Sequence, residues 1–244
     1  TQAFEAPDFN TAFAFEDRCK QFILVAIVLG INSFATVCEA VKGRDCQKQM
    51  PLIDQARHKA QELLTALKPF ADAGIAIVGL EPSCLLSLRD EYLAMGLGEV
   101  AEQVSRQSLL LEEFLARELK AGRLDALQQR LTTINQPILV HGHCHQKAFG
   151  LVPEVLDVVR MVPGATPRLI ETSCCGMAGS FGYEREHAEV SMQMAELSLL
   201  PALRSSPDAL IVADGTSCRH QIHDGAGREA IHVAKLLSDH LLRH

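Results

Sequence analysis

Ala76-Ile77-Val78-Gly79-Leu80-Glu81-Pro82-Ser83-Cys84 and Leu210-Ile211-Val212-Ala213-Asp214-Gly215-Thr216-Ser217-Cys218 are two versions of one segment. In each, a short apolar run rich in β-branched residues leads to an acidic residue and then to Ser-Cys. Such a run, bounded by turn residues, reads as a strand buried on both faces, which is the habit of parallel sheets. Glu171-Thr172-Ser173-Cys174-Cys175 ends in the same way, and the apolar run at residues 137–140 leads into His141-Gly142-His143-Cys144-His145. Four strand ends therefore each deliver a cysteine. In open α/β sheets that is the edge where ligands bind.

Ala56, Ala60, Leu63, Leu64, Leu67 and Phe70 recur at helical spacing and predict a helix over residues 53–73, ended by Gly74. Residues 75–80 read as a strand and residues 100–120 as one long helix closed by Ala121-Gly122. Residues 137–140 and 168–170 read as strands, 184–203 as helix, 209–213 as the last strand and 229–242 as a closing helix. Strands alternating with helices predict an α/β fold of small, mostly parallel sheets with flanking helices and cysteines at the strand C-terminal ends. Each copy of the repeated segment follows a helix that opens on an Arg/His stretch, Ala56-Arg57-His58-Lys59-Ala60 or Glu184-Arg185-Glu186-His187-Ala188. The chain thus divides into two similar halves, residues 1–130 and 131–244.

The chain has 244 residues, 48% hydrophobic and 22% charged, enough for substantial cores. A net charge of −7 argues against a nucleic-acid partner, and the absence of Trp with only 2 Tyr argues against a base-stacking platform. The apolar run at residues 22–31 is shorter than the about 20 residues a membrane-spanning helix needs. Glu5, Asp8, Glu16 and Asp17 precede it, unlike the basic start of a signal peptide. It reads as a buried strand or a core helix turn. The chain opens on Thr1 and reads as a piece of something larger. The expected location is cytoplasmic, with peripheral attachment at the inner membrane face compatible with it.

The 8 cysteines and 10 histidines fit metal or redox chemistry better than a disulfide scaffold. Adjacent Cys174 and Cys175 cannot easily take two corners of a relaxed tetrahedral zinc site, where ligands stand two to four residues apart, but they suit a larger cluster. The competing reading is an inert buried pair. Gly176 and Gly179 let the backbone turn tightly there. His143 and His145 flank Cys144 and are candidate proton donors, with plain packing or capping as the alternative. Ser83, Ser173 and Ser217 precede cysteines; Ser173 and Ser217, with Gly176, are candidates to touch a cofactor, and serine also favours turns. Cys19, Cys38 and Cys46 fit no ligand spacing. There is no P-loop, H-E-x-x-H, dinucleotide glycine fingerprint or ferredoxin cysteine run.

Cys144, then Cys174-Cys175-Gly176, then Cys218, together with residues 79–91, 141–147, 172–182 and 213–222, resemble the cysteine-rich CCG domain. That domain occurs in heterodisulfide reductase, in the iron–sulfur component of glycolate oxidase and, most similar here, in the C-terminal region of FAD-linked D-lactate dehydrogenase-type oxidoreductases. The resemblance covers residues 51–244. It implies an iron–sulfur cluster of 4Fe–4S type, with Cys144, Cys174, Cys175 and Cys218 as ligands of a second repeat and Cys84 as the terminal ligand of a first. It implies FAD on a separate domain or subunit, with a ferredoxin-like iron–sulfur domain as a further partner and a D-2-hydroxy acid of lactate or glycolate type oxidised at the flavin. Two departures stand out. Val41-Lys42-Gly43-Arg44 occupies the place of Cys-Cys-Gly-Arg, and Cys218-Arg219-His220-Gln221 lacks the closing cysteine of a C-x-x-C. Thiol–disulfide catalysis at a cluster, as in heterodisulfide reductase, and a structural zinc module are the alternative readings.

Overall fold

The computed structural model describes residues 22–24, 46–179 and 181–242. Cys19, Cys38, residues 41–44 and residues 25–31 of the apolar run lie outside the described residues. The elements are β1 (Phe22–Leu24), α1 (Cys46–Asp72), β2 (Ala76–Gly79), α2 (Pro82–Ser87), α3 (Glu91–Ala94), α4 (Glu99–Gln107), β3 (Ser108–Leu110), α5 (Leu111–Lys120) and α6 (Asp125–Gln128). They continue with β4 (Ile138–His141), α7 (Cys144–Ala148), α8 (Val152–Val159), β5 (Pro167–Leu169), a 3-10 turn at Phe181–Tyr183, α9 (Ala188–Glu196), α10 (Leu199–Arg204), β6 (Leu210–Ala213), α11 (Thr216–Ala226) and α12 (Val233–Asp239).

Two three-stranded sheets result, in the orders β1-β2-β3 and β5-β4-β6, and every pairing in both is parallel. Strand side chains alternate between faces, and the packing follows that period. Ala76 and Val78 of β2, Ile138 and Val140 of β4 and Val212 of β6 enter one shared core, filled by Leu111 and Leu115 of α5, Val155, Val158 and Val159 of α8, and Val233, Leu236 and Leu237 of α12. Ile77 and Leu110 point the other way, into a cluster with Leu64 and Leu67 of α1 and Val104 of α4. Leu139, Ile211 and Ala213 enter a third cluster with Ala195, Leu199, Leu200, Leu203 and Ile222. The sheets therefore sandwich helices between them, and each carries its own outer helices.

The two copies of the repeated segment pair alike. Val78 and Val212 are equivalent in them. Val78 pairs in parallel with Leu109, and Val212 bridges in parallel to Ile231. Each partner then leads at once into a helix on the shared core, α5 or α12.

Several expectations need correction. Residues 100–120 are not one helix: Ser108–Leu110 form β3, paired with β2, between α4 and α5. The Ser108 hydroxyl donates to Val104 O at 2.8 Å, and Leu110 is extended with φ −65° and ψ 155°. Helical propensity loses here because burying Ser108, Leu109 and Leu110 against β2 satisfies the backbone of a sheet edge. Residues 184–203 break between α9 and α10, where Ser198 leaves the helical region at φ −156°. The closing helix is shorter than residues 229–242, because Gly227 ends α11 in the left-handed region and Ile231 is taken by its bridge to Val212. Among the described residues no helix is long and apolar enough to cross a membrane.

Leu110 is fully buried in the cluster beneath β2. Leu110→Ala should cost about 2–5 kcal/mol of stability, read from urea denaturation midpoints at unchanged slope.

Candidate metal centre

The parallel strands aim their C-terminal ends at one edge, and the residues that follow them meet there. Cys144 opens α7 just past β4, Cys174 and Cys175 lie in the loop after β5, and Cys218 sits in the first turn of α11 just past β6. Cys144 Sγ is 3.5 Å from Cys174 Sγ. The Cys175 and Cys218 sulfurs and a ring nitrogen of His141 all lie within 4.8 Å of one another. Cys175, Cys218 and His141 are each about 1% exposed or less. All four cysteines are free thiols, and 3.5 Å is far beyond the about 2.05 Å of a disulfide.

Hydrogen bonds along the row push neighbouring thiols in opposite directions. The Cys174 thiol is held far below its usual range by hydrogen bonds from the Cys144 and Cys175 thiols and from the Gly176 and Ala178 backbone. Cys144 and Cys175 are correspondingly pushed up: each donates to Cys174, Cys175 also donates to Cys218, and burial adds to both. Cys218 is held well down by the Cys175 thiol and, despite burial, by the His141 and His143 imidazoles. Two sulfurs are thus favoured as thiolates, the form that binds metal, and a metal would displace the two protons shared between neighbours. Neither ring nitrogen of buried His141 has a hydrogen-bond partner among the described residues. An all-sulfur donor set with one adjacent imidazole fits a soft-ligand centre of iron–sulfur or zinc type.

The loop geometry explains its glycines. Gly176 has φ +98°, and a Cβ there would collide with Ser191 O. Its N–H donates to Cys174 Sγ at 3.2 Å. A Cβ on Gly215 would run into the His143 ring and come within 3.2 Å of Cys218 Sγ. Lys147 Nζ ties down the same loop, donating to Thr172 O at 2.5 Å and Ser173 O at 3.1 Å.

The other residues singled out from the sequence fall at different places. Cys84 lies in α2 and, like Cys144 and Cys174, stands outside the two tight groups of three metal-capable residues among the described residues. Burial and then the Glu81 carboxylate push its thiol up to about 11. His143 is buried, caps α7 by accepting from His145 N through Nδ1 at 3.2 Å, and lies 3.3 Å from Ser83 Oγ through Nε2. Its backbone role thus accompanies any chemical one. His145 stands edge-on to it at 5.4 Å, with its Nδ1 buried and without a hydrogen-bond partner among the described residues. Ser173 is exposed, and Ser217 is half-buried in the first turn of α11.

Sequence reasoning missed a polar trio beside this edge, two buried carboxyl groups and a half-buried imidazole. Glu112 and Asp214 are each 1% exposed, and they lie with His232 within 4.8 Å of one another. Asp214 Oδ1 accepts from Val233 N at 3.0 Å and Oδ2 from Gln146 Nε2 at 2.9 Å; Gln146 Oε1 accepts from His143 N. Burial opposes ionisation of Asp214, but His232 and the hydrogen bonds from Glu112, Gln146 and Val233 hold its carboxyl below the usual range. Burial, and then the Asp214 charge, push Glu112 well above it. Among the described residues no other side chain or backbone group donates a hydrogen bond to either oxygen of Glu112. These facts agree if Glu112 is a neutral acid donating its proton to Asp214. His232 Nδ1 accepts from Ala234 N, so its proton is on Nε2, 2.9 Å from Leu80 O and 3.6 Å from Asp214 Oδ1. That proton makes the trio a hydrogen-bonded network rather than a cation site. The signal available in the sequence was the acidic residue opening each Ser-Cys segment, which has no role until the strands are assembled.

The chain is 31% identical over 179 residues to D-2-hydroxyglutarate dehydrogenase of Escherichia coli strain K12, a match covering 73% of this chain and 17% of that enzyme. It is 32% identical over 172 residues to the D-2-hydroxyglutarate dehydrogenase of Pantoea ananatis, covering 70% and 16%. It is 25% identical over 223 residues to one subunit of the anaerobic glycerol-3-phosphate dehydrogenase of E. coli K12, covering 86% and 53%. These relatives are oxidoreductases. The chain spans about a sixth of the length of the two hydroxyglutarate enzymes and about half of the glycerol-3-phosphate dehydrogenase subunit. No family model matches it.

Glu112 binds a proton in the folded protein at pH values where the unfolded chain has released it. Stability therefore falls as pH rises above the ordinary carboxylate range, at up to about 1.4 kcal/mol per pH unit. Glu112→Gln should flatten that slope and raise stability at pH 7–8, measured as denaturation midpoints across a pH series. Gly176→Ala should destabilise the protein by about 1–3 kcal/mol, checked in the same way.

Proposed function

We propose that this chain is an iron–sulfur electron-transfer module of an FAD-linked dehydrogenase acting on a D-2-hydroxy acid. The observation that carries this reading is the convergence of Cys144, Cys174, Cys175 and Cys218 from three strand ends into one row of free thiols, buried at Cys175 and Cys218 and partly exposed at Cys144 and Cys174. Those four residues would hold the cluster, of 4Fe–4S type, with Gly176 N–H and the loop around Ser173 and Ser217 lining it. When bound, the cluster supplies one-electron transfer with little change in structure. The protein's part is to exclude water, to keep Cys174 and Cys218 as thiolates, and to donate a backbone N–H to Cys174, which lowers the sulfur's basicity.

The D-2-hydroxyglutarate dehydrogenases among the relatives support the substrate class, and the glycerol-3-phosphate dehydrogenase relative, itself one subunit of an enzyme, supports a flavin-bearing partner outside this chain. The substrate would be oxidised at that flavin, and electrons would leave through this module and a ferredoxin-like domain. We assign residues 1–130 and 131–244 as two repeats, of which the second holds the cluster; Cys84 is the one matching cysteine of the first. The module would work at the cytoplasmic side of the cell.

A second reading has its own observation. His141 beside Cys175 and Cys218 is a mixed nitrogen–sulfur donor set, which suits zinc. Anaerobic purification with iron, zinc and sulfide analysis separates the two. Iron with matching sulfide, and visible absorbance that bleaches on reduction, supports the electron-transfer module; zinc without sulfide replaces it by the structural reading. Cys174→Ala should abolish iron binding. Unchanged iron in Cys174→Ala overturns the ligand assignment.

A further inference from the structure

Three helices that carry a cysteine in their first turn begin at one place: α2 with Cys84, α7 with Cys144 and α11 with Cys218. A helix N-terminus leaves backbone N–H groups without intrahelical partners, and the residue before it normally caps them with a side chain. For α11 that residue is Gly215, which has no side chain and no room for one, because a Cβ would meet the His143 ring and the Cys218 sulfur. The acceptor comes instead from the other half of the chain. Glu81 Oε2 accepts from Thr216 N at 2.9 Å and from Thr216 Oγ1 at 2.7 Å.

The other carboxylate oxygen continues the connection. Since His143 Nδ1 accepts from His145 N, the ring proton is on Nε2 and faces Ser83 Oγ at 3.3 Å; the Ser83 hydroxyl donates to Glu81 Oε1 at 3.2 Å. Donors therefore converge on Glu81 from two sides, from His143, the cap of α7, through Ser83 of α2, and from Thr216, the first residue of α11. A carboxylate at a helix N-terminus is also favoured by the helix dipole.

We infer that Glu81 is a positioning residue: reaching across from the first half of the chain, it caps the helix that presents Cys218 and so holds that sulfur in register with Cys144. This rests on the electron-transfer reading only for the purpose of the latch. The acidic residue of the first Ser-Cys segment thus serves the cysteine of the last one.

The test compares Glu81→Ala with Glu81→Gln. The glutamine carbonyl can accept both Thr216 bonds, so Gln keeps the cap and removes the charge, while Ala removes both. In the iron-free chain, alkylation of buried Cys218 by iodoacetamide, followed by mass spectrometry, should be about fivefold faster in Glu81→Ala, the effect of losing a helix cap. In Glu81→Gln it should stay at the wild-type rate. In the reconstituted chain, Glu81→Ala should lose iron to a chelator about fivefold faster. Glu81→Gln should retain its iron with a reduction potential shifted upward, because one negative charge near the cluster is gone. Equal Cys218 reactivity in Glu81→Ala and wild type overturns the proposal, as does Glu81→Gln behaving like Glu81→Ala. If the wild-type chain takes up no iron, the electron-transfer reading fails by itself, and the alkylation comparison still decides the latch.

Discussion

Four sulfurs separated by up to 74 residues, from Cys144 to Cys218, have to meet, and strand direction is what brings them together. Because β4, β5 and β6 are all parallel, their C-terminal ends fall on one edge, and the loops that follow have no choice but to converge there. An antiparallel partner would send one cysteine to the opposite edge. The same constraint acts in the first sheet, where β2 is followed by Glu81 and Ser83, which reach α11 and His143. The shared apolar core between the sheets fixes their relative placement, and the polar contacts at the edge define the register.

That edge holds groups that a structure optimised for stability alone would avoid. A neutral carboxylic acid, a carboxylate and an imidazole are buried together between Leu80, Val233 and Gln146. Burying Glu112 penalises the folded state at neutral pH, since the site has to retain a proton that water would take. Asp214 has a different use: it binds Val233 N and Gln146, joining the start of α12 to the loop that presents Cys144. Together with Glu81 it forms a polar seam under the row of sulfurs. Local instability at such a seam is the usual companion of a site whose geometry is set by function.

The electrostatics of the sulfur row and the loop glycines point the same way. Sulfurs this close share protons through hydrogen bonds rather than carry four free charges, which leaves the centre ready to exchange protons for metal. Gly176 and Gly215 are required because a Cβ at either would collide with Ser191 O or the His143 ring. The relatives, all of them larger dehydrogenases or one component of a dehydrogenase, are consistent with a module that moves electrons for chemistry done elsewhere.

The α/β class and the strands at residues 75–80, 137–140, 168–170 and 209–213 were legible in the sequence, because short β-branched runs between turn residues have few other uses. So was the convergence of Cys144, Cys174, Cys175 and Cys218, since each cysteine follows such a run. The break of residues 100–120 into α4, β3 and α5 was not, because Leu109 and Leu110 suit a helix equally well and only pairing with β2 decides between them. Nor were the roles of Glu81, Glu112, Asp214, His141 and His232, whose partners lie as far as 152 residues away, as His232 and Leu80 do. Local sequence determined which residues become strands and which strands end in sulfur. Tertiary structure alone decided which carboxylate keeps its proton and which helix is capped from across the seam, because burial and distance, unlike periodicity, exist only once the chain has folded.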